Sequence, residues 1–269
     1  MLRKSMIFLF FYLGISWASF AQEPGDLEAS LVVVENIELI GNKVTVDKIL
    51  YREITIRPGD TLTKADFLQG LKESQENLMN TSLFNFVTIH EEITNNGALI
   101  HYAVKIEVIE RWYIWPLPIF ELAERNFNAW WETKDLEKIN YGLFLNWENF
   151  RGRKEHLKLL LQFGYDEKLG VSYSIPYIDK RQTIGVMFGF NQTKNHEVSY
   201  ITTDNQVQRV RLDDYALIDY HGFLAFSHRA NIYQTHHIET SYNDKNFADT
   251  VFQLNPVFYQ GESNRAQFI

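Results

Sequence analysis

The sequence predicts an α+β unit followed by an antiparallel transmembrane β-barrel. Helical spacing of apolar residues is confined to the part before Trp112. From Trp112 onward, apolar and polar residues alternate in runs of about ten, enough for a tilted strand to cross a bilayer. The 269 residues contain no cysteine, which excludes disulfide scaffolds and thiolate sites. A net charge of −8, from 34 acidic and 26 basic residues, argues against nucleic-acid binding.

Residues 1–21 have the three-part organisation of a secretory signal peptide. Arg3 and Lys4 form a basic head, and a short apolar core follows them. Ser19 and Ala21 put small residues where a signal peptidase would need them. The apolar run is too short to span a bilayer as a helix, so we expect cleavage instead of anchoring.

We expect residues 22–31 to form a linker and residues 32–111 to fold as one compact unit of order β-α-α-β-β. The predicted elements are a strand at 31–40, a helix capped by Thr45 and stopped by Arg57-Pro58-Gly59-Asp60, a helix capped by Thr63, and strands at 84–93 and 98–109 joined through Asn95-Asn96-Gly97. On the second helix, Leu68, Leu71 and Leu78 are predicted to form the buried stripe.

Residues 112–269 are predicted to form strands with one apolar face and one small or polar face. The clearest runs are 139–147, 156–166, 169–177 and 184–190. A soluble β-sandwich also alternates, so it stays open as an alternative. Trp147, Tyr165 and Tyr177 at strand ends are typical of the aromatic girdles of membrane barrels, and Gly, Asn and Gln on the other face suit a wet lumen. These two features favour lipid contact for the apolar face.

Three segments of the first unit carry a recognisable pattern. Residues 37–42 close the first strand, Arg52-Glu53 end the first helix, and residues 83–87 enter the second long strand. Together they resemble a POTRA domain. In the second part, residues 149–153 resemble an Asn-x-x-Gly-x-Gly turn between early barrel strands, with arginine in place of the second glycine, and residues 172–177 resemble the next strand with its Pro-Tyr ending.

On these motifs the sequence resembles the Omp85 superfamily, which includes BamA-like insertases and D15-type surface antigens. The resemblance implies a bacterial outer-membrane barrel with its POTRA domain in the periplasm. Residues 112–269 have room for about eight strands, roughly half of the barrel that this superfamily has. We therefore expect the N-terminal half of a longer barrel, with a small closed barrel as the alternative.

The resemblance implies that the protein assists insertion and assembly of β-barrel proteins. Its partners would be outer-membrane lipids, unfolded β-barrel clients and periplasmic chaperones or lipoproteins, without nucleic acid, nucleotide or other cofactor. Clients would be captured by β-augmentation, in which an extended chain adds a strand to a free sheet edge. A two-partner-type secretion pore and a passive structural barrel or surface antigen remain alternative functions.

Backbone edges, not catalytic side chains, are the functional groups that this reading predicts. Unpaired backbone N–H and C=O groups of a client are costly in hydrocarbon, and a free strand edge offers them partners. We expect one such edge at about 86–92 in the POTRA unit and another on the first barrel strand, at about 119–126. The predicted pairing residues are Phe86, Val87 and Ile89 on the first edge and Phe120 and Leu122 on the second.

The sequence predicts no enzyme and no metal site. No His-Glu-x-x-His is present, and the adjacent His236 and His237 would point to opposite faces of a strand. A serine hydrolase would need convergence of Ser227-His228 with an acid, and no Gly-x-Ser-x-Gly occurs. Two further groups are expected to be a solvated hinge and an interfacial anchor, respectively: the glutamates Glu107, Glu110, Glu121 and Glu124, and the tryptophans Trp112, Trp115, Trp130 and Trp131.

Overall fold

The computed structural model describes residues 31–96, 99–123, 127–134, 136–231, 233–255 and 265–268. The predicted signal peptide and nearly all of the predicted linker lie outside these ranges. In the described part, no helix is both long enough and apolar enough to cross a bilayer.

The first part of the chain is a four-stranded sheet with two helices packed against it. Its elements are β1 (Leu31–Ile40), α1 (Asp47–Glu53), β2 (Thr61–Thr63), α2 (Lys64–Asn80), β3 (Phe84–Asn96) and β4 (Ile100–Glu110). The strand order is β2-β1-β4-β3, in which β1 and β4 are parallel and the other two pairs are antiparallel. This order makes β3 an outer strand.

The core of this unit lies between the sheet and the helices. Tyr102, Val104, Ile106 and Val108 occupy every second position of β4 and are buried, as expected for a strand with one covered face. Phe67 of α2 is fully buried and its ring centroid lies 4.9 Å from that of Tyr102.

Two details of the predicted helices are wrong. Thr45 does not cap α1, because its hydroxyl binds the Glu110 carboxylate and the capping position is Val46, without a side-chain cap. Leu68 is 44% exposed, and the preceding Phe67 takes its place in the core. The predicted Thr63 cap is confirmed, since its hydroxyl accepts the N–H of Asp66 at 3.1 Å.

The predicted element order missed β2, a strand of only three residues that pairs antiparallel with β1. The first helix ends at Glu53, as the POTRA resemblance predicts, and well before the stop expected at Arg57-Pro58. Between them, Ile54 and Ile56 are both buried while Thr55 is exposed, so the chain leaves the helix in an extended conformation that covers the core.

The second part is dominated by one large antiparallel sheet. Its elements are β5 (Ile114–Leu122), α3 (Phe127–Thr133), a 3-10 turn (Leu136–Lys138), β6 (Ile139–Phe150), β7 (Glu155–Gly164), β8 (Glu167–Ile175), β9 (Ile184–Asn195), β10 (Glu197–Thr203), β11 (Gln206–Arg211), β12 (Leu217–Arg229), β13 (Thr235–Phe247), α4 (Asp249–Leu254) and β14 (Arg265–Phe268). Eight strands pair in the order β14-β13-β12-β9-β8-β7-β6-β5, and β10 and β11 form a separate hairpin. Within the described residues β5 and β14 do not pair with each other, so this sheet is open and not a closed barrel.

The strands predicted from alternation are present as β6 to β9, but two other expectations fail. The first strand of the sheet is β5, which begins at Ile114 and ends at Leu122, instead of running from 119 to 126. The start of β5 could not be predicted from the sequence pattern because it contains Pro116 and Pro118, and proline is unfavourable inside a strand. Helices also occur after Trp112, and α3 and α4 are too short, at seven and six residues, to show a helical period.

The apolar face of the large sheet is its exposed face. Tyr141 is 57%, Phe163 43% and Phe188 47% exposed, whereas Asn140 and Gln162 on the opposite face are only 4% and 2% exposed. A water-soluble domain shows the reverse arrangement. The pattern is typical of a sheet whose apolar face meets lipid.

A row of aromatic rings crosses this face near the first unit. Trp147 contacts Phe150 edge-on at 4.8 Å between ring centroids, and Phe150 contacts Tyr173 in the same way at 5.9 Å. Tyr173 continues to Phe188, also at 5.9 Å. Trp147 and Tyr177, both predicted for such a girdle, pack against the core of the first unit.

We predict that Phe67→Ala lowers the free energy of unfolding by about 3–5 kcal/mol, because it leaves a cavity in a fully buried site. Leu68→Ala, one residue along the same helix, should change it by less than about 0.5 kcal/mol. Urea unfolding of the full chain, followed by circular dichroism, measures both. Equal losses would contradict the assignment of Phe67 to the core.

Candidate functional site

The outer edge of β3 is the first candidate site. Backbone groups of successive residues in an antiparallel strand point alternately towards the partner and away from it. The carbonyl of Val87 accepts a hydrogen bond from the Gln75 side chain of α2 at 2.8 Å, so it points away from β4. By the same alternation, Ile89, Glu91 and Ile93 present their backbone groups to the free edge.

The predicted residues of this edge are therefore not equivalent. The backbone of Phe86 points towards β4, its pairing partner being Ile109, while its side chain is 65% exposed. Val87 offers its N–H, but its carbonyl is already occupied by Gln75. Ile89 offers both groups. Phe86 and Ile109, the latter 59% exposed, form an apolar pair on the face of the sheet away from the helices.

The outer edge of β5 is the second candidate site. The N–H of Glu148 donates to the carbonyl of Tyr113 at 2.8 Å, and the N–H of Ala123 donates to Lys138 at 2.9 Å. Odd-numbered positions between Tyr113 and Ala123 thus point towards β6. The even-numbered residues point to the free edge, namely Ile114, Pro116, Pro118, Phe120 and Leu122.

The two prolines divide this edge into unequal halves. Proline has no N–H, so positions 116 and 118 offer carbonyl acceptors and no donors. Phe120 and Leu122, the residues predicted from sequence, retain both groups, and the Phe120 ring is 73% exposed. Pairing through donors and acceptors is therefore concentrated at the end of β5 that is farther from the first unit.

The two edges belong to separate sheets that are joined by a short connection, residues 111–113. Tyr113 in this connection is buried and donates its hydroxyl to the carbonyl of Leu83 at 2.8 Å. Burial raises the pKa of the Tyr113 hydroxyl. The connection is thus anchored in the first unit, and it fixes where β5 begins.

The four glutamates do not form a single solvated hinge. The Glu110 carboxylate instead accepts hydrogen bonds from two backbone N–H groups of the segment before α1, that of Val44 at 3.0 Å and that of Thr45 at 2.7 Å. Glu107 lies 2.8 Å from the Lys105 amine, whose hydrogen bond lowers the pKa of the Glu107 carboxyl. The other two are not part of this arrangement: Glu121 is exposed on β5, and Glu124 lies outside the described residues.

The Asn149–Arg153 motif forms the turn between β6 and β7 and docks on the first unit. The Asn149 side chain donates to the Thr45 hydroxyl at 2.9 Å and accepts the N–H of Lys154 at 2.8 Å. Gly152 has a φ of 72° and its carbonyl accepts the N–H of Val46 at 3.0 Å. A Cβ at this glycine would lie 1.9 Å from the Val44 carbonyl oxygen, so only glycine fits.

A second contact clamps α1 to the turns of the large sheet. Arg229, at the end of β12, holds the buried Glu53 carboxylate with two nitrogens, at 3.1 and 3.3 Å. The Arg52 guanidinium lies 3.6 Å from the centre of the Tyr177 ring. We call the contact of Glu53 with Arg229 the junction clamp.

In the same turn as Tyr177, backbone N–H groups of Ile184 and Thr183 hold the pKa of the Asp179 carboxyl at about 2.

Neither the tryptophans predicted as an interfacial anchor nor the histidines, for which no metal site is predicted, form a recognisable site in the described residues. Trp112 and Trp131 are 65% and 59% exposed, with nothing in the structure that tests a membrane contact. Across the described ranges there is no group of three or more His, Asp or Glu side chains arranged to hold a metal ion. Sequence reasoning missed Glu53, Arg229 and Gln75, because their roles arise only from tertiary contacts.

We predict that Glu53→Ala lowers the free energy of unfolding by about 3–5 kcal/mol, because it leaves the Arg229 guanidinium largely buried without its counter-charge. A double-mutant cycle with Arg229→Ala should give a coupling of about 0.5–3 kcal/mol. Arg209 and Glu197, an exposed pair on the β10–β11 hairpin, are the control and should couple by less than about 1 kcal/mol. Additive effects at Glu53 and Arg229 would rule out the clamp.

Comparison with known proteins agrees with these features. Residues 32–111 match the family model described as POTRA, surface antigen variable number repeat. No curated protein sequence matches the chain. Among solved structures, BamA from Haemophilus ducreyi lacking POTRA domains 1–3 superposes with a TM-score of 0.53 at 14% identity, covering 81% of this chain and 36% of that one.

Two CdiB structures are also similar, at lower scores. CdiB from Acinetobacter baumannii has a TM-score of 0.41 at 11% identity, covering 80% of this chain and 38% of its own. CdiB from Escherichia coli has a TM-score of 0.40 at 14% identity, covering 80% and 37%. The chain thus spans little more than a third of each of these proteins. Residues 32–111 thus match the POTRA family model, and the chain has a fold similar to that of the BamA structure.

Proposed function

We propose that this chain acts in the bacterial outer membrane, with its POTRA domain in the periplasm, and assists the insertion and assembly of β-barrel proteins. The observation that carries the proposal is that, among the described residues, one edge of β3 and one edge of β5 have no neighbouring strand. The role needs no catalytic group, because hydrogen-bond pairing and apolar burial supply the driving force.

The membrane placement rests on the large sheet. Its exposed apolar face and the aromatic row from Phe150 through Tyr173 to Phe188 suit contact with lipid acyl chains and the interface. The contacts of Glu53 with Arg229 and of Val46 with Gly152 hold the POTRA domain beside one end of the strands, and this would be the periplasmic end. The proposed partners are outer-membrane lipids and unfolded β-barrel clients, with periplasmic chaperones or lipoproteins as further partners.

The edge of β3 would capture the client. An unfolded barrel protein carries many unpaired backbone groups, and adding it as a fifth strand beside β3 would satisfy those on one side. Ile89, Glu91 and Ile93 would supply these hydrogen bonds, and the exposed Phe86 and Ile109 would offer apolar contact to the neighbouring side chains. Gln75 would compete with the client for the carbonyl of Val87.

The edge of β5 would then template the first client strand at the membrane. Phe120 and Leu122 would pair with it through both donors and acceptors, while the proline half would discourage pairing nearer the junction. A client held in this way would enter the bilayer with one edge already satisfied, which lowers the cost of inserting its backbone.

The first test is the folding of an unfolded barrel client into liposomes that contain the full-length protein. Phe120→Pro removes one free-edge donor and should reduce the acceleration of client folding several-fold. Phe120→Ala keeps the backbone donor and should retain most of it, because pairing does not depend on the ring. Folding is followed by the shift of the folded client on gels run without heating.

The parent protein must first accelerate folding over empty liposomes. If it does not, the insertase proposal is wrong, and selective conductance across a planar bilayer would then favour the secretion-pore alternative. Acceleration that survives Phe120→Pro but not Phe120→Ala would mean that the ring, not the edge, carries the activity.

The second test concerns capture by the POTRA domain. Glu91 is exposed and its backbone points to the free edge, so Glu91→Pro should leave the fold intact and weaken the binding of an unfolded client several-fold. Glu91→Ala keeps the N–H and should bind as the parent does. Fluorescence anisotropy of a labelled, urea-unfolded client measures both. Equal weakening by the two variants would point to the carboxylate, and no weakening by Glu91→Pro would exclude this edge.

A further inference from the structure

A cavity of about 360 Å³ lies at the junction, between the end of α2 and the turns of the large sheet. Its lining includes Glu53, Asn80, Lys154, Tyr177, Arg229 and Tyr233. The client-pairing edges are elsewhere, on β3 and β5, so this cavity has no part in the function proposed above.

Positive charge is in excess around this cavity. Arg229 and Lys154 line it, and Arg52 lies on the ring of Tyr177 in its wall. The Glu53 carboxylate is the negative charge among the lining residues, and both of its oxygens already accept hydrogen bonds from Arg229. The Arg52 guanidinium is farther from it, at 3.7 Å from Nε to the nearer oxygen.

Two of the cations are incompletely satisfied. Nη1 of Arg52 is buried and has no hydrogen-bond partner among the described residues. The ammonium of Lys154 has no hydrogen-bond acceptor in the same part of the chain. Burial lowers the pKa of Lys154, and the charges of Arg229 and Arg52 lower it further against the opposing effect of Glu53.

Such an arrangement is unfavourable in an empty cavity. Partly buried charges of like sign lose hydration and repel one another, and a buried cation without a counter-ion is among the costliest groups in a protein. Two positive charges remain after Glu53 is counted. A bound anion would compensate them, and guanidinium and ammonium groups are the side chains that bind phosphate oxygens best.

We propose that this cavity binds a phosphate group, with Lys154 as its principal ligand and Asn80 as a further donor, while the Arg52 guanidinium on the Tyr177 ring adds positive charge nearby. Inorganic phosphate or the headgroup of a phospholipid would supply it. Tyr233, on the turn between β12 and β13, lines the cavity and is 91% exposed, and an amphipathic aromatic ring in that position suits a lipid neighbour.

Thermal unfolding of the full-length protein in detergent, followed by tryptophan fluorescence, tests the site. Sodium phosphate is titrated against sodium chloride at constant ionic strength, so that general screening is the same in both series. Phosphate should raise the unfolding midpoint of the parent by about 2–4 °C, because a ligand of the folded state stabilises it. No rise in the parent overturns the proposal.

Lys154→Met is the diagnostic variant. This variant removes one cation that has no counter-charge. In the absence of phosphate its unfolding midpoint should therefore be higher than that of the parent, and adding phosphate should no longer raise it. Lys72→Met, at a lysine of α2 that is 70% exposed, is the matched control and should respond as the parent does. An equal rise in parent, Lys154→Met and control would show a general salt effect and overturn the site.

Asn80→Asp provides a second variant if Lys154→Met does not fold. It places a carboxylate on the cavity wall and should likewise raise the midpoint without phosphate and weaken the response to it. An unchanged phosphate response in Asn80→Asp would count against the cavity as the binding site.

Mixed micelles distinguish the two sources of phosphate. Dihexanoyl phosphatidic acid is compared with dihexanoylglycerol, which has the same acyl chains without the phosphate. A larger rise with the phosphatidic acid than with equimolar inorganic phosphate identifies the lipid headgroup as the ligand. The opposite order identifies free phosphate, and equal effects of the two lipids overturn phosphate recognition.

Discussion

The backbone of an outer strand is the constraint on which this structure depends. Each N–H and C=O that faces outward from β3 or β5 must be paired, hydrated or removed, and hydration is impossible where a strand meets hydrocarbon. Gln75 binds one outward carbonyl of β3, the Trp112 indole binds the Ile114 carbonyl of β5, and two prolines remove donors from β5. Which groups remain decides where another strand can be added.

The junction gives these edges a defined relation to each other. Glu110, at the end of β4, binds the segment before α1, and Tyr113 in the connection binds Leu83 of the first unit. The turn at Gly152 packs on the same segment before α1. The junction clamp adds a largely buried ion pair between α1 and β12. A buried ion pair contributes little to net stability, but it penalises alternative arrangements in which either partner would be unpaired. It therefore restricts how the POTRA domain sits against the large sheet.

Much of the fold could be predicted from local patterns in the sequence. The alternation in β6 to β9 and the Thr63 cap are properties of neighbouring residues, and the resemblance of residues 32–111 to a POTRA domain is confirmed. The failures have physical causes. Capping is a local pattern that predicts Thr45 as a helix cap, whereas its partner in the structure, Glu110, is distant in the chain. The three-residue β2 and the proline-containing start of β5 carry no periodic signal.

The candidate edges were predictable as strands but not as sets of free groups. Phe86 and Ile89 lie on one strand and differ by whether their backbone faces β4 or solvent, which a bulge in β3 helps to set. That choice depends on register, and register comes from pairing between distant segments. The cluster of cations around the cavity could not be predicted for the same reason, since Arg52, Lys154 and Arg229 come from three segments far apart in the chain.

The prolines of β5 also impose a direction on any seam formed along that strand. From Ile114 to Leu122 the edge has five carbonyls, of which that of Ile114 already accepts the Trp112 indole N–H, and only three N–H groups; the two missing N–H groups are adjacent in the ladder and close to the POTRA domain. A neighbouring chain can therefore gain a full set of bonds only by starting at the distal end. Such a seam would therefore form from the distal end of β5, and the part beside Pro116 and Pro118 would remain incompletely hydrogen-bonded.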